Sequence, residues 1–211
     1  MIHIQSIERK ETGRVLAACA GLFIALLASG CQGSAKSAEA SGTAPSAVER
    51  GRYLITVAGC NDCHTPLKMG PNGPEPDRAL LLSGHPASLA MPPAPAPQGP
   101  WLWSGGATNT AFAGPWGVSY SANLTPDQET GIGIWTEETF VKALRSGKHW
   151  GQGRPILPPM PWQSAAAMTD DDLKAVYAYL RTVPPVRNSV PNAVLAPPPA
   201  QGTTAPAPAG R

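Results

Sequence analysis

Cys60-Asn61-Asp62-Cys63-His64 places two thiols and an imidazole within five residues. Thiols at i and i+3 share one helical turn, so both can add to the two vinyl groups of one haem. The histidine that follows directly then lies under the iron and offers it a ring nitrogen. Cys60 and Cys63 are the expected thioether sites, and His64 the expected proximal metal ligand. The C-x-x-C-H pattern occurs once, so the expected cofactor is a single covalent haem c.

Three other chemistries use the same residue types. A zinc site needs a second ligand pair at metal spacing. No cysteine follows Cys63, and His85 and His149 lie far apart in sequence. A redox dithiol needs a βαβ setting, which the chain lacks. A disulfide between Cys60 and Cys63 would leave His64 without a role.

The second axial position calls for another ligand, and Met160 in Leu157-Pro158-Pro159-Met160-Pro161-Trp162 is the candidate. A thioether is a soft ligand that favours ferrous iron and raises the reduction potential. The flanking prolines fix backbone dihedrals and stiffen the loop. His149 is a competitor that would give a bis-histidine site. Met91, Met69 and Met168 compete less well by position, and a methionine can always be a core filler.

Elements that would position these groups are legible from caps and periodicity. Ser46 with Glu49 forms a capping box for a helix running to about Ala58, ended by Gly59. Gly51, Leu54, Ile55 and Ala58 share one face of it. A second helix starts near Thr136, runs through Phe140, Val141 and Leu144, and stops at Gly147. Thr169 caps a third, with Asp170, Asp171 and Asp172 in its first turn. Its apolar face is Leu173, Val176, Tyr177 and Leu180, and Pro184-Pro185 stop it. The long Pro-, Gly- and Trp-rich stretch from His64 to Trp135 has neither helical nor strand periodicity. It reads as a loop insertion, packed by Trp101, Trp103 and Trp116 either on a haem edge or in a cluster of its own.

The N-terminal segment carries Arg9, Lys10 and Arg14, then an apolar run from Val15 to Ala28. That run is shorter than the ~20 residues a spanning helix needs and reads as an export signal. Leu27-Ala28-Ser29-Gly30-Cys31 resembles a bacterial lipobox, which makes Cys31 the expected lipidation site. The expected organisation is therefore a lipoprotein signal over 1–30, a flexible tether over 31–45, one domain over 46–187, and a Pro/Ala-rich disordered tail over 188–211. Cys19 leaves with the signal, Cys31 takes lipid and the remaining two cysteines take haem. The expected location is the periplasmic side of a bacterial membrane, held there by lipid.

The formal charge is +2. Residues 1–30 hold three basic and two acidic groups, so the exported chain carries about +1. Such a balance argues against nucleic acid, which calls for a basic stripe.

Helix, C-x-x-C-H, Met-Pro loop and closing helix, in that order, resemble a class I cytochrome c. Ala122-Asn123-Leu124-Thr125-Pro126-Asp127, Thr130-Gly131-Ile132-Gly133, Trp135-Thr136-Glu137-Glu138, Ala143-Leu144-Arg145 and Met160-Pro161-Trp162 are similar to mono-haem modules of bacterial periplasmic cytochromes. They are also similar to the cytochrome subunits of membrane-bound alcohol and sugar-acid dehydrogenases. The resemblance covers about 48–187. It implies an all-α fold around one haem, with first and last helices crossing near Gly51 and Tyr177. It implies Cys60 and Cys63 as attachment sites with His64 and Met160 as axial ligands. A proline carbonyl, from Pro66, Pro71 or Pro74, is expected to accept the His64 N–H. The stretch 67–118 is longer than a minimal member needs. The multi-haem dehydrogenase subunits repeat C-x-x-C-H, whereas this chain has it once.

The implied function is electron transfer rather than catalysis. Electrons would come from a periplasmic or membrane oxidoreductase and pass to an oxidase or another cytochrome. Two alternatives follow from the same residues. One is the electron-transfer subunit of a periplasmic dehydrogenase complex. The other is a haem enzyme or sensor with a labile sixth ligand, using His149 or His85 for acid–base work.

Overall fold

The computed structural model describes residues 44–95 and 100–197. The expected export signal, Cys31 and nearly all of the expected tether fall outside these residues, as does the part of the expected tail beyond 197.

Helix α1 spans Ala47–Val57. The Ser46 hydroxyl accepts the Glu49 N–H, and the Glu49 carboxylate returns to the Ser46 N–H, closing the expected capping box. Cys60–His64 form the single turn of α2. Glu137–Ser146 form α3, capped by Thr136 and stopped by Gly147 at φ 64. A short α4, Trp162–Ala166, follows the Met160 loop. Asp170–Leu180 form α5, with the Thr169 hydroxyl accepting the Asp172 N–H. It ends at Leu180, before the prolines can act.

α1 and α5 cross face to face, and the crossing point is Gly51. A Cβ built there would stand 1.9 Å from the Ala175 carbonyl oxygen and 2.8 Å from the Tyr179 Cβ. Only glycine lets the two backbones approach so closely. The residues opposite Gly51 are therefore Ala175 and Tyr179, not the expected Tyr177. Tyr177 instead packs on Phe140, with ring centroids 5.6 Å apart, and donates its hydroxyl to the Trp135 carbonyl at 2.6 Å. Leu54 and Ile55 from α1, Phe140 from α3, and Val176 and Leu180 from α5 form the core with Leu82 and Ile132, and Leu173 of α5 is fully buried as well. Burying each large apolar side chain contributes about 1.5–3 kcal/mol. Among the described residues no helix is long and apolar enough to cross a membrane.

The fold is not all-α. Two small antiparallel sheets draw five of their six strands from the stretch expected as loop. In the first, β1 (Leu67–Gly70) pairs with β2 (Gly73–Pro76). The second has the order β3-β4-β5-β6, from Ser104–Gly105, Ala111–Gly114, Gly117–Tyr120 and Val194–Leu195. Strands of two to four residues are too short to display an alternating pattern, which explains their absence from the periodicity.

Residues past the expected domain limit at 187 also contact the domain, through β6 and through Asn188. The Asn188 amide donates to the Ser83 and His85 carbonyls at 2.7 and 2.9 Å, and its oxygen accepts the Ala87 N–H. Residues 188–195 are thereby stitched to the domain. The stitching uses one side chain and backbone pairing, so it needs none of the apolar surface whose scarcity suggested a tail.

Candidate cofactor site

Gly59 leaves α1 with φ 68, and this left-handed turn lets α2 start at once at an angle to α1. The result sets Cys60, Cys63 and His64 on one turn. Cys60 packs against the hydrophobic core. Both cysteines are half-buried free thiols. Burial pushes the Cys60 thiol up to about 11 and raises that of Cys63 as well. A redox dithiol works through a thiolate of depressed pKa, so these thiols have the opposite character. Among the described residues no cluster of three or more His, Cys, Asp or Glu is arranged to hold a metal ion by itself.

His64 is buried, and burial lowers its pKa and keeps the ring neutral. Its Nδ1 lies 2.8 Å from the Ala122 carbonyl oxygen. A carbonyl can only accept, so the proton sits on Nδ1 and the Nε2 lone pair is available to a metal. The partner is thus Ala122, and none of Pro66, Pro71 and Pro74 fills that part.

The Ala122 carbonyl is held by a dense local network. Asn123, buried, accepts the Thr125 N–H and hydroxyl at 2.9 and 2.7 Å and donates to Val186 O at 2.8 Å and Thr130 Oγ1 at 3.1 Å. The next connection runs through 82–85. Gly84 N–H donates to the His64 carbonyl at 2.8 Å, and Leu82 N–H to Thr65 Oγ1 at 3.0 Å. Leu82 O accepts from Leu124 N–H, and His85 N–H donates to Ser121 O, both at 2.9 Å. Gly84, at φ 78, is needed because a Cβ would lie 2.3 Å from Ser121 O. Leu82 adopts φ 59 despite its side chain. That conformation costs about 1–2 kcal/mol, held here by full burial and by bonds on both its backbone groups.

Asn109 donates its amide to the Asp62 carbonyl at 2.7 Å, fixing the outer side of α2. The Asn61 Oδ1 is buried with no hydrogen-bond partner among the described residues. An unpaired polar atom beside the two thiols suits a site completed by a bound group. The donor set therefore fits haem: two thiols on one turn, a neutral imidazole with Nε2 to spare, and an apolar core against which Cys60 packs.

Met160 is half-buried in the loop between the 149–151 turn and α4. Ile156 N–H donates to Gly147 O at 2.8 Å on one side of the loop, and the Trp162 indole packs on Gly147 on the other. The Ser119 hydroxyl donates to the Pro158 carbonyl at 2.6 Å. The other expected candidates stand in different settings. His85 is fully buried with Nδ1 2.9 Å from Thr110 Oγ1 and Nε2 3.0 Å from Leu89 O, so both nitrogens are committed. His149 stands in an aromatic group, its ring centroid 5.3 Å from Trp135 and 6.2 Å from Trp150. Met91 packs at Gly106, and Met69 is 78% exposed on the first hairpin. The supporting roles of Ala122 and Ser119 went unread in the sequence. One acts through its backbone and the other across a distance of 39 residues, and neither leaves a local signature.

Comparison with known proteins places these residues in context. The cytochrome c family model matches residues 48–184. Over 144 residues, 68% of its length, the chain is 33% identical to a nicotinate dehydrogenase subunit from Pseudomonas putida. It is 34% identical over 135 residues, 64% of its length, to the fructose dehydrogenase cytochrome subunit of Gluconobacter japonicus. It is 32% identical over 148 residues, 69% of its length, to the cytochrome c subunit of the quinone alcohol dehydrogenase of Gluconobacter oxydans. The matched parts make up only 9%, 21% and 24% of these three relatives.

Proposed function

The chain belongs to the cytochrome c family and carries covalent haem c for electron transfer, and from that premise we propose a single-electron relay with His64 and Met160 as axial ligands. Bound haem supplies a one-electron ferric/ferrous couple. The chain's own residues do the rest. Cys60 and Cys63 would hold the haem through thioether bonds. His64 would bind the iron through Nε2, its Nδ1–H being tied to Ala122 O, which fixes the orientation of the imidazole. Met160 would supply the second protein ligand through its sulfur. A haem held in this way by the chain would leave a substrate no place to bind the iron, which favours outer-sphere one-electron exchange.

The observation that carries this reading is the His64 ring: buried, neutral and hydrogen-bonded at Nδ1, one residue beyond Cys63. Met160→Ala tests the ligand set. Loss of the far-red thioether-to-iron band is expected, with a fall in reduction potential of about 0.2–0.3 V, well within the ~0.8 V that axial ligands command. An unchanged band and potential would remove Met160 from the site.

The proposal extends to place and partners. The segment before the domain supports export, lipidation at Cys31 and attachment to the periplasmic face of a bacterial membrane. The donor would be a periplasmic or membrane oxidoreductase, and the acceptor an oxidase or another cytochrome. The tether would raise the local concentration at that surface. A second reading is favoured by the relatives' names: an electron-transfer subunit within a dehydrogenase complex, where this chain would supply one haem module.

A further inference from the structure

The loop carrying Met160 has few means of holding itself in place. Pro158, Pro159 and Pro161 have no N–H. Only Leu157 and Met160 could donate from the backbone between 157 and 161. Among the described residues, the hydrogen bond that ties this stretch to an element distant in sequence is the one from Ser119 Oγ to Pro158 O, at 2.6 Å. Ser119 is buried on β5. Its oxygen in turn receives the Trp116 indole N–H at 3.2 Å. An indole can only donate, so it directs the serine proton away from itself and toward the carbonyl. The Phe112 carbonyl, 3.5 Å from Oγ, is the longer alternative. Trp116 keeps its place because Gly114 has no side chain: a Cβ there would lie 2.6 Å from the ring.

Three residues beyond Ser119 is Ala122, whose carbonyl holds His64. Three residues of extended backbone reach at most about 10 Å. One short segment therefore fastens both the histidine ring and the methionine loop.

We propose that Ser119 is a positioning residue for Met160, and that the 119–122 segment is a clamp setting the two axial ligands relative to each other. The β4–β5 hairpin then serves the site, rather than being a surface addition. This rests on the reading of Met160 as the distal ligand. Removing the Ser119 hydroxyl would free the Pro158 carbonyl and let the loop swing, making the methionine easier to displace.

The test is competition by imidazole for the sixth position of the ferric holoprotein, read with the far-red band. Ser119→Ala is expected to bind imidazole about tenfold more tightly than wild type, the equivalent of one hydrogen bond. Trp116→Phe, which keeps the ring but not the N–H, should show about a two- to threefold increase. Ser119→Thr, which keeps the hydroxyl, should stay near wild type. An imidazole affinity in Ser119→Ala equal to wild type, with the band still lost in Met160→Ala, would overturn the clamp and leave the ligand assignment standing. If Met160→Ala keeps the band, the assignment itself falls and the clamp with it. Should Ser119→Ala fail to fold, Trp116→Phe decides: tighter imidazole binding supports the clamp, and unchanged binding rejects it.

Discussion

Cys60→Ala/Cys63→Ala will leave the chain with no covalently attached haem. The two thiols are the only free cysteines among the described residues, and they stand on one turn of α2 directly before His64. Without them the cofactor is held by axial bonds alone, and a denaturing gel stained for haem should lose its signal entirely. The loss should also reach the fold, because Cys60 packs against the core formed by α1 and α5. Each single variant retains one thioether and should keep a stained band with a shifted absorption maximum. Persistent staining of the double variant would show that attachment lies elsewhere.

The next largest effect is expected at a residue with no side chain. In Gly51→Ala the new methyl would stand 1.9 Å from Ala175 O and 2.6 Å from Ala175 C. Both are backbone atoms and cannot rotate aside, so α1 and α5 must separate. Overpacking of this kind typically costs about 1–3 kcal/mol and more where backbone must shift. A value near 3 kcal/mol is expected here, lowering the melting temperature by about 10 °C. That is a large part of the 5–15 kcal/mol that stabilises a typical domain. Thermal unfolding of the holoprotein checks it. The separation should also loosen α2, since α1 leads into it through Ala58 and Gly59 alone. A melting temperature equal to wild type would mean the crossing is softer than its geometry indicates.

The helices were legible because their rules are local. Ser46 with Glu49, Thr136 and Thr169 each announce a start within four residues, and Gly147 announces a stop. The candidate attachment motif was legible for the same reason, being five contiguous residues. The supports of that site were not. His64 is oriented by the carbonyl of Ala122, and every residue has a carbonyl, so no residue type marks the partner. Proline carbonyls near the motif were the natural expectation, yet the β4–β5 hairpin delivers a chain segment 58 residues away. The small sheets escaped notice because strands of two to four residues rich in glycine and proline carry no period. Asn188 shows the same limit from the other end of the chain. A single amide reaching two carbonyls holds a segment whose composition reads as tail.

His85 illustrates how burial reassigns a residue that sequence alone leaves open. An imidazole in a cofactor protein invites a role as ligand or acid–base group. Here both its nitrogens are used, against Thr110 and Leu89, and its ring lies 4.9 Å from that of Tyr120. It braces the sheet that carries Ser119, so its contribution to the site is indirect.

One measurement bears most directly on the single-electron relay with two axial ligands from this chain: a spectroscopic redox titration of the wild-type holoprotein at neutral pH. The expected result is a low-spin ferric spectrum with the far-red thioether band, one haem per chain, and a reversible one-electron Nernst curve. A stable high-spin ferric spectrum without that band would contradict it, because it would mean a sixth position open to water or substrate.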